Sequence, residues 1–569
     1  MRLTRLVPRA LLLGAGLTLP LSAQSRSTGY HTAARLAAAI DSIGRANPQL
    51  VRVTTLATSP GGRPVHVVRI GGSDEKPALL VLAGAYGPQV ASSEVALRLT
   101  REVVTRAARD AATKALLADY TIYVVPRLNP DAAEAFFAPL KHERRGNDEK
   151  SDDDRDHATD EDAADDLNGD GLITMMRVRT GPGGGGEWIP DAVDPALMRR
   201  ADALKGEQGL YKIYVEGKDD DGDGQYNEDG PGGTDLSINF ANNYQFFAAG
   251  SGEHQFSAAE TRAVAEFVTA RTNLAAVYVL GMQDNLIKPW EGRRTPGIGG
   301  SPQGTSAGGP YTSILPEDAT WYAEVGKKAP RPVTGADPVS APENGDPLSW
   351  AYYHMGRFAF GSRVWWPGRA PADSGAGRRA PTPDPLATER NEYRWLKAND
   401  PMGFVEWKEV AGYTIDGKPV EVGGFAPFAR LNPKASTLDS LGAQQAGWVL
   451  DLTKMLPRTQ LAGPVSVTSV GPRVWRVTVD VVNTSYLPTN SALGVRSRLP
   501  RRVKVELSMP NGVTLSSGRK QQYIESLRGS GASRQFEWVV VGDAGATLTL
   551  SVGAPNSGAV TETITLRAR

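Results

Sequence analysis

The spacings with the clearest chemical content are ladders of side-chain oxygens. DLNGDGLIT sets Asp166, Asn168 and Asp170 at alternate positions with Gly171 next, the opening half of a calcium loop in which oxygen ligands converge around a tight glycine turn. DDDGDGQYNED repeats the pattern with Asp219, Asp221, Asp223 and Gly224. DDDRDHATDED is a weaker copy, with Asp152, Asp154 and Asp156 but His157 in the glycine position. None closes on the bidentate glutamate of a full loop: in the two better copies Arg177 and Gly230 stand there. Runs of charge are usually solvated faces. Three ladders, two with the glycine in place, in a segment poor in apolar residues point instead to calcium in a structural role.

Other chemistries are thinly supplied. The absence of cysteine removes thiolate metal sites and cysteine nucleophiles. Of the six histidines, His31, His66, His142, His157, His254 and His354, none has the i, i+4 or His-x-x-Glu relation to a second ligand that marks a zinc site. A zinc site assembled from His142, His157 or His254 is the residual alternative. No G-x-S-x-G elbow is present for a serine hydrolase.

The elements that must position these residues follow from patterning. The chain has 569 residues, enough for two or more domains. MRLTRLVPRALLLGAGLTLPLSAQ has a basic start, an apolar stretch from Ala10 to Leu21 and a small-residue exit, which predicts a secretory signal over 1–23 cleaved near Ala23 and a secreted or periplasmic location. No other stretch is long and apolar enough for a transmembrane anchor. Lys plus Arg (63) equals Asp plus Glu (63), so net charge gives no reason to expect nucleic acid or an anionic membrane as partner.

Apolar spacing predicts a helix from Tyr30 to Ile43, a hairpin of VRVTTL and VHVVRI, and a buried central strand in ALLVLAG. A helix across Ser93–Ala108 and a second buried strand in TIYVVPRLNPDA follow. This alternation predicts an α/β domain with a mixed sheet over 24–460. An acidic insertion at about 140–233 interrupts it, and the chain recovers in DLSINF, read as a strand. After the helix SAAETRAVAEFVTAR and the strand AAVYVLG, a Gly/Pro-rich loop runs over about 290–347. WAYYHMG, FAFGSRVWW, VEVGGF and the helix GWVLDLTKML complete the core. Short alternating strands over 461–569 predict an all-β sandwich.

The order of these pieces, with GGRPVHVVRI, VLAGAYGPQVASSEVAL, VVPRLNPDA, the acidic block, DLSINF, SAAETRAVAEF and PLSWAYYHMG, resembles the zinc carboxypeptidase family across roughly Tyr30 to Pro457, most closely its long bacterial members. The resemblance implies a His-x-x-Glu pair of zinc ligands after Gly84, with the register fixed by Glu94. Tyr86 and Gln89 stand at those two places. The third ligand position falls at Leu280 or Gly281, and the substrate-gripping Asn-Arg pair at Ser237 and Ile238. Arg363 stands where the family has its catalytic glutamate, with Glu421 as the rival base.

A phenol, a carboxamide and apolar residues are poor ligands for Zn²⁺, and a guanidinium offers no base. The expectation is therefore an exported, catalytically inactive homologue without zinc, whose remnant cleft, lined by Tyr86, Gln89, Ser237 and Arg363, binds a peptide or protein ligand through an anionic terminus. The alternatives are an active zinc metallocarboxypeptidase with unrecognised ligands, carrying out proteolysis, and a scaffold or adhesion protein acting through its sandwich.

Overall fold

A computed structural model describes residues 27–150, 165–219, 226, 233–290, 313–333, 344–370 and 386–567. The predicted signal at 1–23, the ladder Asp152, Asp154, Asp156 and His157, and Asp221, Asp223, Gly224 and Gly230 of the second ladder lie outside the described residues.

The chain begins with α1 (Ala33–Ala46), β1 (Val51–Thr58), β2 (Pro64–Ile70), β3 (Ala78–Ala83) and α2 (Val90–Arg109). Next come α3 (Ala111–Asp119), β4 (Thr121–Val125) and α4 (Pro130–Glu134). The insertion contributes β5 (Met175–Arg179), β6 (Trp188–Pro190), β7 (Met198–Arg200) and β8 (Tyr211–Val215). The chain returns through α5 (Ala259–Ala270), β9 (Leu274–Leu280), α6 (Pro316–Gly326), α7 (Pro347–Tyr353) and β10 (Phe358–Ser362). Helix α8 (Ala387–Asn399), the hairpin β11 (Phe404–Ile415) and β12 (Lys418–Phe425), and α9 (Leu438–Met455) close the first domain.

The main sheet has the order β1-β2-β4-β3-β9-β10. Its first two pairings are antiparallel, and β4, β3, β9 and β10 run parallel. β3 and β9 are buried along their whole length, as central strands covered on both faces must be. α2 and α9 pack together on one side, α2 burying Val95, Leu99 and Val103 and carrying Arg106 and Arg109 in its last turn, where cations suit the helix dipole. This is the mixed α/β architecture anticipated from the sequence.

Four expectations need correction. DLSINF is a turn with an isolated bridge from Asp235 to Gly146, because its polar groups bond within the turn. VEVGGF belongs to β12 of a second antiparallel sheet, β11-β12-β5-β8-β6-β7. That sheet has its own core of Met176, Val178, Val410, Ile415, Val420 and Val422, so the insertion gains apolar packing from a hairpin that lies over 200 residues later in the chain. The Gly/Pro-rich loop contains α6, begun by a proline at its first helical position.

The C-terminal strands are β13 (Thr459–Leu461), β14 (Ser466–Gly471), β15 (Val474–Asn483), β16 (Val503–Ser508), β17 (Thr514–Ser517), β18 (Gln521–Ile524), β19 (Ser533–Val541), β20 (Thr547–Ala554) and β21 (Gly558–Thr565). They form two antiparallel sheets around Val477, Val505, Trp538 and Leu550. Their connector, with α10 (Ala492–Ser497), meets the base of the first domain. Leu487 and Leu493 bury into the main core. Asp318 of α6 accepts the Ala492 and Leu493 N–H groups at 2.8 and 3.1 Å and the Tyr352 hydroxyl at 2.9 Å, Ser491 Oγ donates to the Gly356 carbonyl at 2.9 Å, and Arg458 pairs with Asp119 at 2.8 Å. Asp119 and Gly356 lie just before β4 and β10, so the sandwich is fixed at the N-terminal ends of the parallel strands. Among the described residues no helix is long and apolar enough to cross a membrane.

Thermal unfolding tests this seam. Asp318→Ala strands two buried N–H donors and a hydroxyl and is expected to cost about 1–3 kcal/mol, and Leu493→Ala about 2–5 kcal/mol.

Candidate functional site

At the opposite ends of the parallel strands, register decides which residues meet. Ala83 of β3 pairs with Leu280 of β9, and Leu280 with Ser362 of β10. The residues that follow these three positions therefore emerge side by side, in the crevice beyond the carboxyl ends of parallel strands where open α/β sheets place ligands. Gly84 makes the first exit: its φ is +68°, and a Cβ there would stand 2.6 Å from Ser93 Oγ and 3.0 Å from Arg127 Cα. Only glycine takes that turn without displacing α2.

Tyr86 follows, half-buried, with the Arg145 guanidinium 5.0 Å from its ring centroid. Arg145 Nε pairs with Asp235 Oδ2 at 2.6 Å, and Asp235 Oδ1 accepts the Ser237 hydroxyl at 2.7 Å and its N–H at 2.9 Å. Burial pushes the Asp235 carboxyl up, against the pull of Arg145 and Ser237. Tyr86 and Ser237 are thus joined through Arg145 and Asp235, two residues that sequence reading passed over. Asp235 opens the DLSINF string, but its burial became evident only in three dimensions.

Gln89 caps α2 and is fully buried, with neither Oε1 nor Nε2 hydrogen-bonded. Leu280 is buried inside β9, and Gly281 donates its N–H to the Ser362 carbonyl. Ile238 is half-buried in the turn, and Asn239 next to it is fully used, donating to the Ser251 and His254 carbonyls and accepting from Thr261 Oγ1.

Arg363 comes directly after β10 and is 5% exposed. Its N–H donates to Asp284 Oδ2 at 3.3 Å, and its guanidinium has no ion pair among the described residues, with Nε unpartnered. Burial pulls Arg363 below the usual arginine range, opposed by the fields of Glu392, Tyr86 and Asp284 and reinforced by Arg430. Glu392 and Arg430 themselves pair at 3.5 Å.

Glu421 lies elsewhere, in β12, where Arg177 of β5 pairs with it at 2.8 Å. Arg177 also stacks between Trp407 at 4.5 Å and Tyr211 at 5.0 Å, so Glu421 is held in the second sheet rather than at the end of a main-sheet strand.

The histidines are dispersed. His31 bonds the buried Glu94 through Nδ1 at 2.9 Å. His66 lies in β2, His142 is half-buried near Arg144, His254 bonds its neighbour's carbonyl and His354 ends α7. Glu94 also takes Arg98 at 2.5 Å and lies 3.6 Å from Arg127. Burial pushes its carboxyl up, but these partners more than offset that and leave it below its ordinary value.

Residues 36–170 match the family model described as zinc carboxypeptidase, and residues 463–565 match one described as a domain of unknown function (DUF8731). The first part of the α/β domain, residues 36–170, is thus zinc-carboxypeptidase-like. The chain is 28% identical to carboxypeptidase A2 of Rattus norvegicus over 102 residues, covering 18% of this chain and 24% of that relative. It is 29% identical to carboxypeptidase A4 of Mus musculus over 104 residues, covering 18% and 25%. The match therefore spans about a quarter of those relatives. Among solved structures, carboxypeptidase A from Helicoverpa armigera is similar at 12% identity and TM-score 0.36, over 66% of this chain and 73% of that one. Thrombin activatable fibrinolysis inhibitor is similar at 13% and 0.37, over 76% and 80%.

In this zinc-carboxypeptidase-like domain the strand ends offer a phenol, a carboxamide and the Leu280-Gly281 pair, a donor set that does not fit Zn²⁺. Among the described residues no three His, Cys, Asp or Glu side chains gather as metal ligands would.

Support for Arg145 and Asp235 comes from beneath. Asn147 accepts the Gly233 N–H through its carbonyl and the Thr234 N–H through Oδ1, and its Nδ2 faces the fully buried Glu260 at 3.3 and 3.4 Å. Burial, with Asp131 and Glu149 adding to it, raises Glu260 to about 7. A folded-state value above the unfolded one means that Glu260 favours folding at low pH and loses that contribution as pH rises from the unfolded value through about 7. Glu260→Gln is expected to flatten the pH dependence of urea stability between pH 5 and 8, and to gain on the order of 2–3 kcal/mol over the wild type at the upper end.

Proposed function

We propose that this chain is an exported, non-catalytic zinc-carboxypeptidase homologue whose cleft binds an anionic group, most simply the C-terminal carboxylate of a peptide. The observation that carries this reading is the pair Arg363 and Gln89. Both are buried at the strand ends and both hold polar atoms without partners, and buried polar groups left unpaired in a cleft are costly unless a ligand completes them. Arg363 contributes a charge that does not titrate away and a planar fork suited to a carboxylate. Tyr86, under Arg145, supplies a hydroxyl and an aromatic face beside it.

The reading excludes peptide hydrolysis because it contains no group to activate water: the guanidinium of Arg363 has no base form, and Glu421 is engaged by Arg177. Calorimetric titration with short peptides bearing free or amidated C-termini tests it. Free carboxylates are expected to bind, amidation and Arg363→Ala each to weaken binding by about tenfold or more, and Tyr86→Phe to weaken it less. Equal binding of free and amidated peptides, or an unaffected Arg363→Ala variant, would refute the reading.

A structural calcium site in the insertion is a second part of the proposal. Asp166 closes its loop by accepting the N–H groups of Gly169 and Gly171, both at 2.7 Å, with positive φ at both glycines. Glu216, just past β8, is fully buried and takes Leu167 N–H at 3.1 Å and Thr174 N–H at 2.8 Å. Burial, then Asp170 and Asp166, push it up to about 7. This glutamate comes from a different strand from the one that sequence spacing predicts for a loop-closing ligand. Asp166, Asn168, Asp170 and Glu216 are hard oxygen donors of the kind Ca²⁺ takes; they do not yet gather as metal ligands would, so binding would have to draw them together, and the ion would neutralise crowded carboxylates. Calcium is expected to raise the thermal midpoint relative to chelator-treated protein, and Glu216→Gln to abolish most of that rise. An equal midpoint with and without calcium would contradict it.

A further inference from the structure

Arg357 stands between α7 and β10, at the seam where the sandwich connector meets the first domain. The residue is 8% exposed. Among the described residues no hydrogen bond or ion pair involves its guanidinium, and burial lowers its pKa with no described carboxylate near enough to oppose the loss of hydration. The other two most buried arginines differ. Arg127 has Glu94 at 3.6 Å and donates to the His31 carbonyl, and Arg363 feels Glu392.

A guanidinium carries five N–H donors and keeps its charge, so a buried one without a counter-charge is costly. Its guanidinium nitrogens are nevertheless not among the described atoms sealed from solvent without a partner. The surroundings are tight on the connector side. Gly356 has φ +60°, and a Cβ there would lie 2.7 Å from Gly494 Cα and 3.0 Å from Ser497 Oγ. The connector backbone is thereby pressed against the residue preceding Arg357, and Ser491 Oγ ties it to the Gly356 carbonyl.

We infer that Arg357 is an oxyanion-binding residue at the domain seam, its fork taking two oxygens of a phosphate or carboxylate and supplying the missing counter-charge between the α/β domain and the sandwich. Bidentate pairing is the arrangement in which a guanidinium gains most from such a group. The bound anion stabilises the junction and leaves the cleft at the other end of the strands untouched. This inference is independent of the proposed cleft function.

Thermal unfolding of the full chain, titrated with sodium phosphate or sodium acetate against sodium chloride at matched ionic strength, tests it. The midpoint is expected to rise saturably with phosphate or acetate and not with chloride. That rise should remain in Arg363→Gln, which removes the cleft cation, and vanish when Arg357→Gln is added to that variant. A rise with acetate alone assigns a carboxylate, and one with phosphate alone a phosphate. Arg357→Lys, which keeps the charge but not the fork, serves if the glutamine variant does not fold, and is expected to need about tenfold more anion for half the effect. No oxyanion-specific rise in the wild type, an undiminished rise when Arg357→Gln or Arg357→Lys is added to Arg363→Gln, or loss of the rise in Arg363→Gln alone overturns the inference.

Discussion

The hydrogen-bonded row of Ala83, Leu280 and Ser362 is the constraint from which the arrangement of the site follows. A shift of one residue in either pairing would turn the apolar side chains of β3 and β9 toward the wrong helix layer, so the fully buried strands fix the register strongly. Once it is fixed, the exits at Gly84, Gly281 and Arg363 are neighbours whatever side chains they carry. The fold thus preserves a meeting point, while the residues that occupy it set its chemistry. In the proposed reading a fixed cation, Arg363, stands at this meeting point, with an uncharged carboxamide and a phenol beside it.

Charge is distributed differently at the two ends of the parallel strands. At the C-terminal ends, Arg145, Asp235, Glu392, Arg430 and Asp284 surround Arg363 and Tyr86, and burial pushes the acids Asp235, Glu392 and Asp284 up. In the proposed reading this balance favours an anionic ligand. At the N-terminal ends, the sandwich is joined through Asp318, Leu487 and Leu493, so it acts as a base fixed to the first domain and lies away from the cleft.

Much of the fold was legible because it depends on local pattern. Continuous apolar runs such as ALLVLAG and AAVYVLG reveal buried strands, and alternation reveals the sandwich. The second sheet was not legible, because β5 and β12 pair across more than 240 residues and neither strand carries a signal naming its partner. For the same reason Glu421 looked available as a base until Arg177 was found opposite it. In the site, Tyr86, Gln89 and Arg363 were placed by their relation to strand ends, which sequence preserves. Arg145, Asp235, Glu392 and Glu216 make contacts between segments distant in the chain, and no spacing rule reaches them.

A non-catalytic cleft requires that a protein with this domain hold no zinc. Metal analysis of the full chain, purified from zinc-supplemented medium without chelator and then dialysed, measures this directly. The account predicts no stoichiometric zinc, with calcium retained if any metal is. One zinc retained per chain would contradict it.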